Sequence, residues 1–300
     1  MKKKIKLSFG DKIFSVLNYG VFGVFTILCI FPFYYLFINT ISNNDLSGRG
    51  LITFIPKGIH FSNYVQILNI PGLGQAGMIS LGRTVIGTLV TVLASALLGF
   101  LFTKDQMWGR RIWYRFVVIT MYLQAGSIPW YITMMNLHLT NNFLAYIIPA
   151  IVAPFNIIMV KTFVESVPAS MQESAEIDGA GYFIVFTKII MPLIKPILAT
   201  IAIWAAVGQW SSFTDTLFLM TDSKYFTLQF ILYKYLNEAN SLAALVKGSA
   251  GGNAMNVANM QTATSVRMTV SMVVVLPILF VYPYFQKFFV KGVMIGAVKG

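Results

Sequence analysis

Apolar residues along this chain run in long stretches, and six of them reach or approach the roughly 20 residues a helix needs to cross a bilayer core. They are 14–41, 84–102, 112–137, 143–160, 197–220 and 268–290. The pattern predicts an all-α, polytopic membrane protein of six transmembrane helices, forming a single transmembrane domain over 1–300. The first stretch follows Lys2, Lys3, Lys4 and Lys6 as a signal peptide would, but its apolar run is too long and no small-residue cleavage site follows. It reads as a retained span.

Composition agrees: 57% of residues are hydrophobic and only 11% charged, far from the balance of a water-soluble domain. The single cysteine, Cys29, allows neither an intrachain disulfide nor a thiolate metal cluster. A net charge of +12 raises the question of nucleic acid, yet the basic residues are spread along the chain with no basic helix and no reading module, so no nucleic-acid partner is expected. They do report orientation. A cytoplasmic N-terminus puts most of them inside, including Lys104, Arg110, Arg111, Arg115, Lys161 and Lys188. It leaves Arg49, Lys57, Arg83, Lys224, Lys234, Lys247 and Arg267 outside, mostly in long loops where charge biases topology weakly. Both termini are then cytoplasmic in a multi-pass protein, with 42–83 and 221–267 as external loops and 161–196 as a cytoplasmic one. Within the second external loop, KGSAGGNAMNVANMQTATS is rich in Gly, Ala, Asn and Ser and reads as a mobile segment with no core of its own.

The cytoplasmic loop carries the densest local signals. Pro168 ends a preceding helix, and SMQE, Ser170 to Glu173, matches a capping box in which hydroxyl and carboxylate satisfy each other's backbone N–H. A helix is expected from about Met171 to Asp178, stopped by Gly179 in the left-handed conformation. Gly181 permits a second bend, Tyr182 to Met191 reads as another helix, and Pro192 and Pro196 turn the chain into the fifth span. On these residues alone the loop could equally be a well-capped connector.

The spacing Glu-x-Ala-x-x-Asp-Gly-Ala, here Glu173, Ala175, Asp178, Gly179 and Ala180, followed by Ile189, Pro192 and Pro196, resembles the EAA loop of ABC importer permeases. FVESVPASMQESAEIDGA, from Phe163, is similar to that family's approach to the motif. IPWYITMMNLHLTNNFLAYIIPAI, from Ile128, resembles spans three and four of the maltose-type carbohydrate permeases, and the terminal YFQKFFVKGVMIGAVKG is similar to their polysaccharide-importing branch. Two departures are Ser174, where the triplet has an alanine, and Trp130, where smaller residues are frequent. The resemblance implies a permease subunit in a bacterial cell membrane whose coupling helix, with Glu173, Ala175, Asp178, Gly179, Ala180 and Pro192, docks on an ABC ATPase dimer. It further implies a homologous second permease, an extracellular solute-binding protein and an oligosaccharide or polysaccharide fragment as substrate. ATP and Mg would serve the ATPase, with no cofactor bound by this chain, which is not itself an enzyme.

Polar residues inside a span usually face the bundle interior or a water-filled path. The fifth span carries Gln209, Trp210, Ser211, Ser212, Phe213, Thr214 and Asp215 in succession, the third contributes Tyr122, Gln124, Trp130 and Tyr131, and the fourth Asn156. Sugars need hydroxyl-matching groups and aromatic faces, and this set offers both. Each residue alone could equally serve interhelical hydrogen bonding or the aromatic belt. His60 and His138 lack a partner at ligand spacing, so no metal site is expected. No Walker-type glycine loop is present, and the chain cannot hydrolyse ATP. The alternatives are an ABC permease for a non-sugar solute and a secondary transporter. The latter should show ion-coupling carboxylates deep in the bundle.

Overall fold

The structure, a computed structural model, describes residues 8–237, 262 and 264–279. The expected sixth span is thus covered only in part, while the glycine-rich external stretch, except for 262, 264 and 265, and the terminal YFQKFFVKGVMIGAVKG lie outside the described residues. No strand occurs among the described residues. They group into two compact units, one from 8–69 with 235–237, 262 and 264–273, the other from 70–234 with 274–279.

In the first unit, α1 (Phe9–Thr40) is 32 residues long, about 48 Å at the usual helical rise. Only Ile38, Asn39 and Thr40 are buried, and most of the remaining apolar surface is exposed, as a lipid-facing helix requires. Its end is pinned by polar side chains. Asn63 donates to Thr40 O and to Asn44 Oδ1, both at 2.9 Å, and the Ser47 hydroxyl donates to Asn39 Oδ1 at 2.8 Å. These contacts hold the short helices α2 (Asn44–Gly48) and α3 (Ser62–Leu68) against the end of α1.

The second unit is built on α4 (Leu73–Leu101). It begins eleven residues before the expected span, so Arg83 is a mid-helix residue and not the end of an external loop. The apolar reading stopped short because 73–83 is a small and polar stretch, LGQAGMISLGR, whose helical periodicity carries little hydropathy. After it come α5 (Arg110–Tyr122) and α6 (Ser127–Asn136), which divide the expected continuous span 112–137. Leu123 is extended and Gly126 has φ +86°, a conformation glycine adopts freely. Next are the 3₁₀ turns Phe143–Tyr146 and Ile148–Ala150, then α7 (Pro154–Glu165) and α8 (Ser170–Ile177). The helix expected over Tyr182 to Met191 is a composite of α9 (Tyr182–Ile184), a π-helical turn (Val185–Ile190) and α10 (Met191–Leu193). Pro192 cannot donate into the ladder and its ring crowds the preceding carbonyls, which the wider winding accommodates. The expected fifth span divides into α11 (Lys195–Ser211) and α12 (Thr214–Leu219), because Ser212 is extended at ψ 133°.

By length and composition α1 and α4 can each cross a membrane unbroken. Two bent pairs reach that length jointly: Phe143–Ala150 with Pro154–Glu165, at 43°, and Tyr182–Leu193 with Lys195–Ser211, at 80°. Lipid tails are as apolar as leucine, so helix association in a membrane rests on close packing and polar contacts. Gly99 supplies one such close approach: a Cβ there would lie 2.7 Å from Val160 Cγ1 and 3.0 Å from the backbone nitrogen of Lys161. Around this crossing of α4 and α7 a core forms from Phe100, Val164, Phe186, Ile190, Ile194 and Ile201, which carries α8 and α11 on the same scaffold.

Candidate functional site

Along α4 the buried positions Ala76, Ser80, Arg83, Gly87, Thr91, Ser95 and Gly99 recur every three or four residues, one face of the helix. Of these seven only Arg83 is large; Leu73 and Phe100, also buried, lie at the two ends of the helix. The Arg83 side chain is 3% exposed and lies in a cage contributed by α11 and α12. Nε and Nη2 both donate to Gln209 Oε1 at 3.0 Å, and Nη1 donates to Asp215 Oδ1 at 3.1 Å and to Ser212 O at 3.4 Å. Nη2 also meets Asp215 Oδ2 at 2.5 Å, completing a two-pronged ion pair. Tyr146 covers the guanidinium face, its ring centroid 4.3 Å from Cζ.

The cage is itself braced. Gly87 leaves the space that Gln209 fills, since a Cβ there would lie 2.6 Å from Nε2, and that amide donates to Tyr146 O at 3.1 Å. The Tyr146 hydroxyl donates to Tyr225 O at 2.7 Å and meets Thr216 Oγ1 at 3.0 Å. Asp215 sits in the first turn of α12 and accepts from the Thr216 N–H at 2.8 Å, where a helix start favours negative charge.

Beside this cage opens a cleft of about 550 Å³, lined among others by Trp130, Tyr146, Asn156, Trp204, Gln209 and Ser212, with Arg83 and Asp215 its charged residues. A second cleft of about 750 Å³ is lined by Gln124, Gly126, Trp130, Ser212, Thr214 and Asp215 among others. Trp130, Ser212 and Asp215 belong to both. Indole faces beside amides and hydroxyls suit a ligand with apolar C–H surfaces and many hydroxyl groups.

At the other end of α4 lies α8. The expected capping box is absent: Ala169, already helical, is the cap, and no side chain caps the helix. Pro168 O accepts from Met171 N at 3.2 Å, and Ala169 O takes the N–H groups of Gln172 and Glu173. The helix therefore starts on Pro168, and Ser170 is inside it, its carbonyl accepting from the Ser174 hydroxyl at 2.8 Å. The far end follows expectation. Gly179 has φ +83°, Ala180 N donates to Ala175 O at 2.9 Å, and Gly179 N donates to Glu176 O at 3.1 Å. This is a Schellman closure, with Ala175 and Ala180 both packed on the core. Lys104, just past α4, reaches across to Gln172 Oε1 at 2.8 Å and Glu176 Oε1 at 3.0 Å. Glu173 and Asp178 are exposed, and Ile177 is 85% exposed.

Comparison with known proteins bears on both regions. No protein-family model matches the chain. Over 290 residues it is 32% identical to Protein LplC of Bacillus subtilis (strain 168), covering 96% of each chain. It is 29% identical to the polygalacturonan/rhamnogalacturonan transport system permease protein YtcP of the same strain, covering 97% of this chain and 99% of that one. The chain belongs to the carbohydrate ABC importer permeases. In fold, this permease resembles a chain of a bacterial ABC transporter involved in the import of the acidic polysaccharide alginate, with a TM-score of 0.80, 26% identity and coverage of 95% of this chain and all of that one.

The permease gathers Gln124, Trp130, Asn156, Gln209, Ser212 and Asp215 around the two clefts. Trp210 lies outside them: its indole N–H donates to Val274 O at 3.0 Å. Ser211 and Tyr122 are exposed and line neither cleft. The sequence reading missed Arg83, Tyr146 and Trp204. Arg83 had a signal, since it falls in register with the small residues of α4, whereas Tyr146 and Trp204 look like ordinary apolar-span aromatics.

Proposed function

We propose that this permease subunit carries an oligosaccharide or polysaccharide fragment across a bacterial cell membrane in an ATP-driven importer. Its domain crosses the membrane six times, with the broken helices 143–165 and 195–219 counted as spans and both termini in the cytoplasm. The clefts beside Arg83 form this chain's part of the sugar path, completed by a homologous second permease. Glycan passes along Trp130 and Trp204, with Asn156, Gln209 and Ser212 answering its hydroxyls. Substrate arrives on an extracellular solute-binding protein, and α8 is the coupling helix that docks on a dimeric ABC ATPase. That ATPase uses ATP and Mg; this chain binds neither and performs no catalysis.

The observation that carries the reading is the pairing of indole faces with neutral hydrogen-bonding groups around one cleft, in a chain similar along its whole length to permeases named for polysaccharides. For coupling, the support is a short helix with an exposed Glu173–Ile177 surface, closed by Gly179 and held by Lys104. A helix so closed moves as one piece, and the Lys104 contacts and the core at Gly99 relay its motion to α4. The test is purification of the importer from its native host through a tag on this chain, followed by reconstitution in vesicles. Co-purification of an ATPase and ATP-dependent uptake of a glycan are expected. Uptake driven by an ion gradient without ATP would contradict the proposal.

A further inference from the structure

The sugar reading leaves open whether the glycan is charged, and relatives named for acidic polymers make the question sharp. A uronate-binding site needs a cation with donors to spare. Here the charged residues lining the 550 Å³ cleft beside α11 are Arg83 and Asp215, and each is already committed to the other. A guanidinium has five N–H groups. Those of Arg83 are taken up by Gln209 Oε1, Ser212 O and both oxygens of Asp215, and Tyr146 covers its face. The second cleft adds no basic residue among its described lining. A carboxylate entering either cleft would have to displace Asp215, whose side chain is only 16% exposed, and leave that charge without its partner.

Resting on the proposed sugar path, we propose that this chain's clefts are electroneutral and accept uncharged glycan, excluding uronate carboxylates. Selectivity then comes from a closed ion pair: Asp215 holds Arg83, the one cation among the described residues lining the clefts, away from anionic ligands, while Trp130, Trp204 and Asn156 remain for hydroxyl and C–H faces. The same geometry places any recognition of an acidic substrate on groups other than these.

The test uses the complete importer carrying Cys29→Ala and Ser212→Cys, since Ser212 lines both clefts and lends Arg83 only its backbone carbonyl. Rates of labelling by an anionic and a cationic methanethiosulfonate report the local potential. With Arg83 and Asp215 intact their ratio should stay near that of a small neutral thiol. Asp215→Asn should raise the anionic preference about tenfold and Arg83→Gln should reverse it. The double variant Arg83→Gln with Asp215→Asn should return the ratio to its starting value, which separates charge from misfolding. In the same thiol, the methyl ester of tetragalacturonate should protect and the free acid should not, except in Asp215→Asn. Protection by the free acid equal to that by the ester, or a strong anionic preference with the pair intact, overturns the proposal. Protection by neither form nor by maltotetraose would instead overturn the sugar reading, and the labelling ratios would still decide the charge claim.

Discussion

The turn that closes α8 and the cage around Arg83 are both tight, fully bonded pieces of structure, but they are built over different distances. In the first, every bond joins residues at most five apart, from Asp178 N on Ser174 O to Ala180 N on Ala175 O. In the second, Arg83 meets Gln209 and Asp215 across 126 and 132 residues of chain. A local closure depends on one residue's conformational freedom, and a distant cage depends on three helices arriving together. The first should therefore fail gently in stability and sharply in coupling, the second the other way round.

The largest expected effect tests the distant cage. Asp215→Ala leaves Arg83 buried without its counter-charge and should destabilise the purified permease by about 3–5 kcal/mol. Replacing both partners, Arg83→Met with Asp215→Leu, should recover most of that loss, and unfolding midpoints in detergent compare the two. Next comes the crossing that brings the helices together. Gly99→Ala puts a methyl group 2.7 Å from Val160 and 3.0 Å from backbone, and overpacking there should cost about 1–3 kcal/mol. Gly179→Ala meets no atom within 4 Å, so its cost is the left-handed backbone alone, about 1–2 kcal/mol, with assembly intact. The smallest effect belongs to Lys104→Met. Its partner Glu176 is 39% exposed, and the lost pair should change stability by no more than about 1 kcal/mol. Any larger shift would mean that the α8 tether is more than a surface contact.

The same difference in range explains what could be read in the sequence. The helical class, the membrane location and the left-handed Gly179 follow from composition and from residues close in sequence, and the described residues have helices without strands and the αL glycine. Breaks at Gly126 and Ser212 leave no mark on apolar length, because hydropathy does not register a backbone turn. The capping box failed for a similar reason: Pro168 starts the turn two residues earlier and leaves Ser170 with nothing to cap. Arg83 was assigned to an external loop because its charge ended the hydropathy window. Only its register with Ala76, Ser80 and Gly87 marks it as inward, and only the fold shows that Asp215 awaits it. Trp210, next to Gln209 in sequence, lies on another face of α11 and binds Val274.

The proposed function has one end of this scaffold hold sugar and the other receive the work of an ATPase. Gly179→Pro separates the two ends, because proline fixes φ near −65° where the chain requires +83°. ATP hydrolysis and glycan uptake should be measured on the same reconstituted vesicles. The complex should assemble and hydrolyse ATP while substrate-dependent uptake falls to background. Uptake that keeps its normal ratio to hydrolysis would contradict the proposed function.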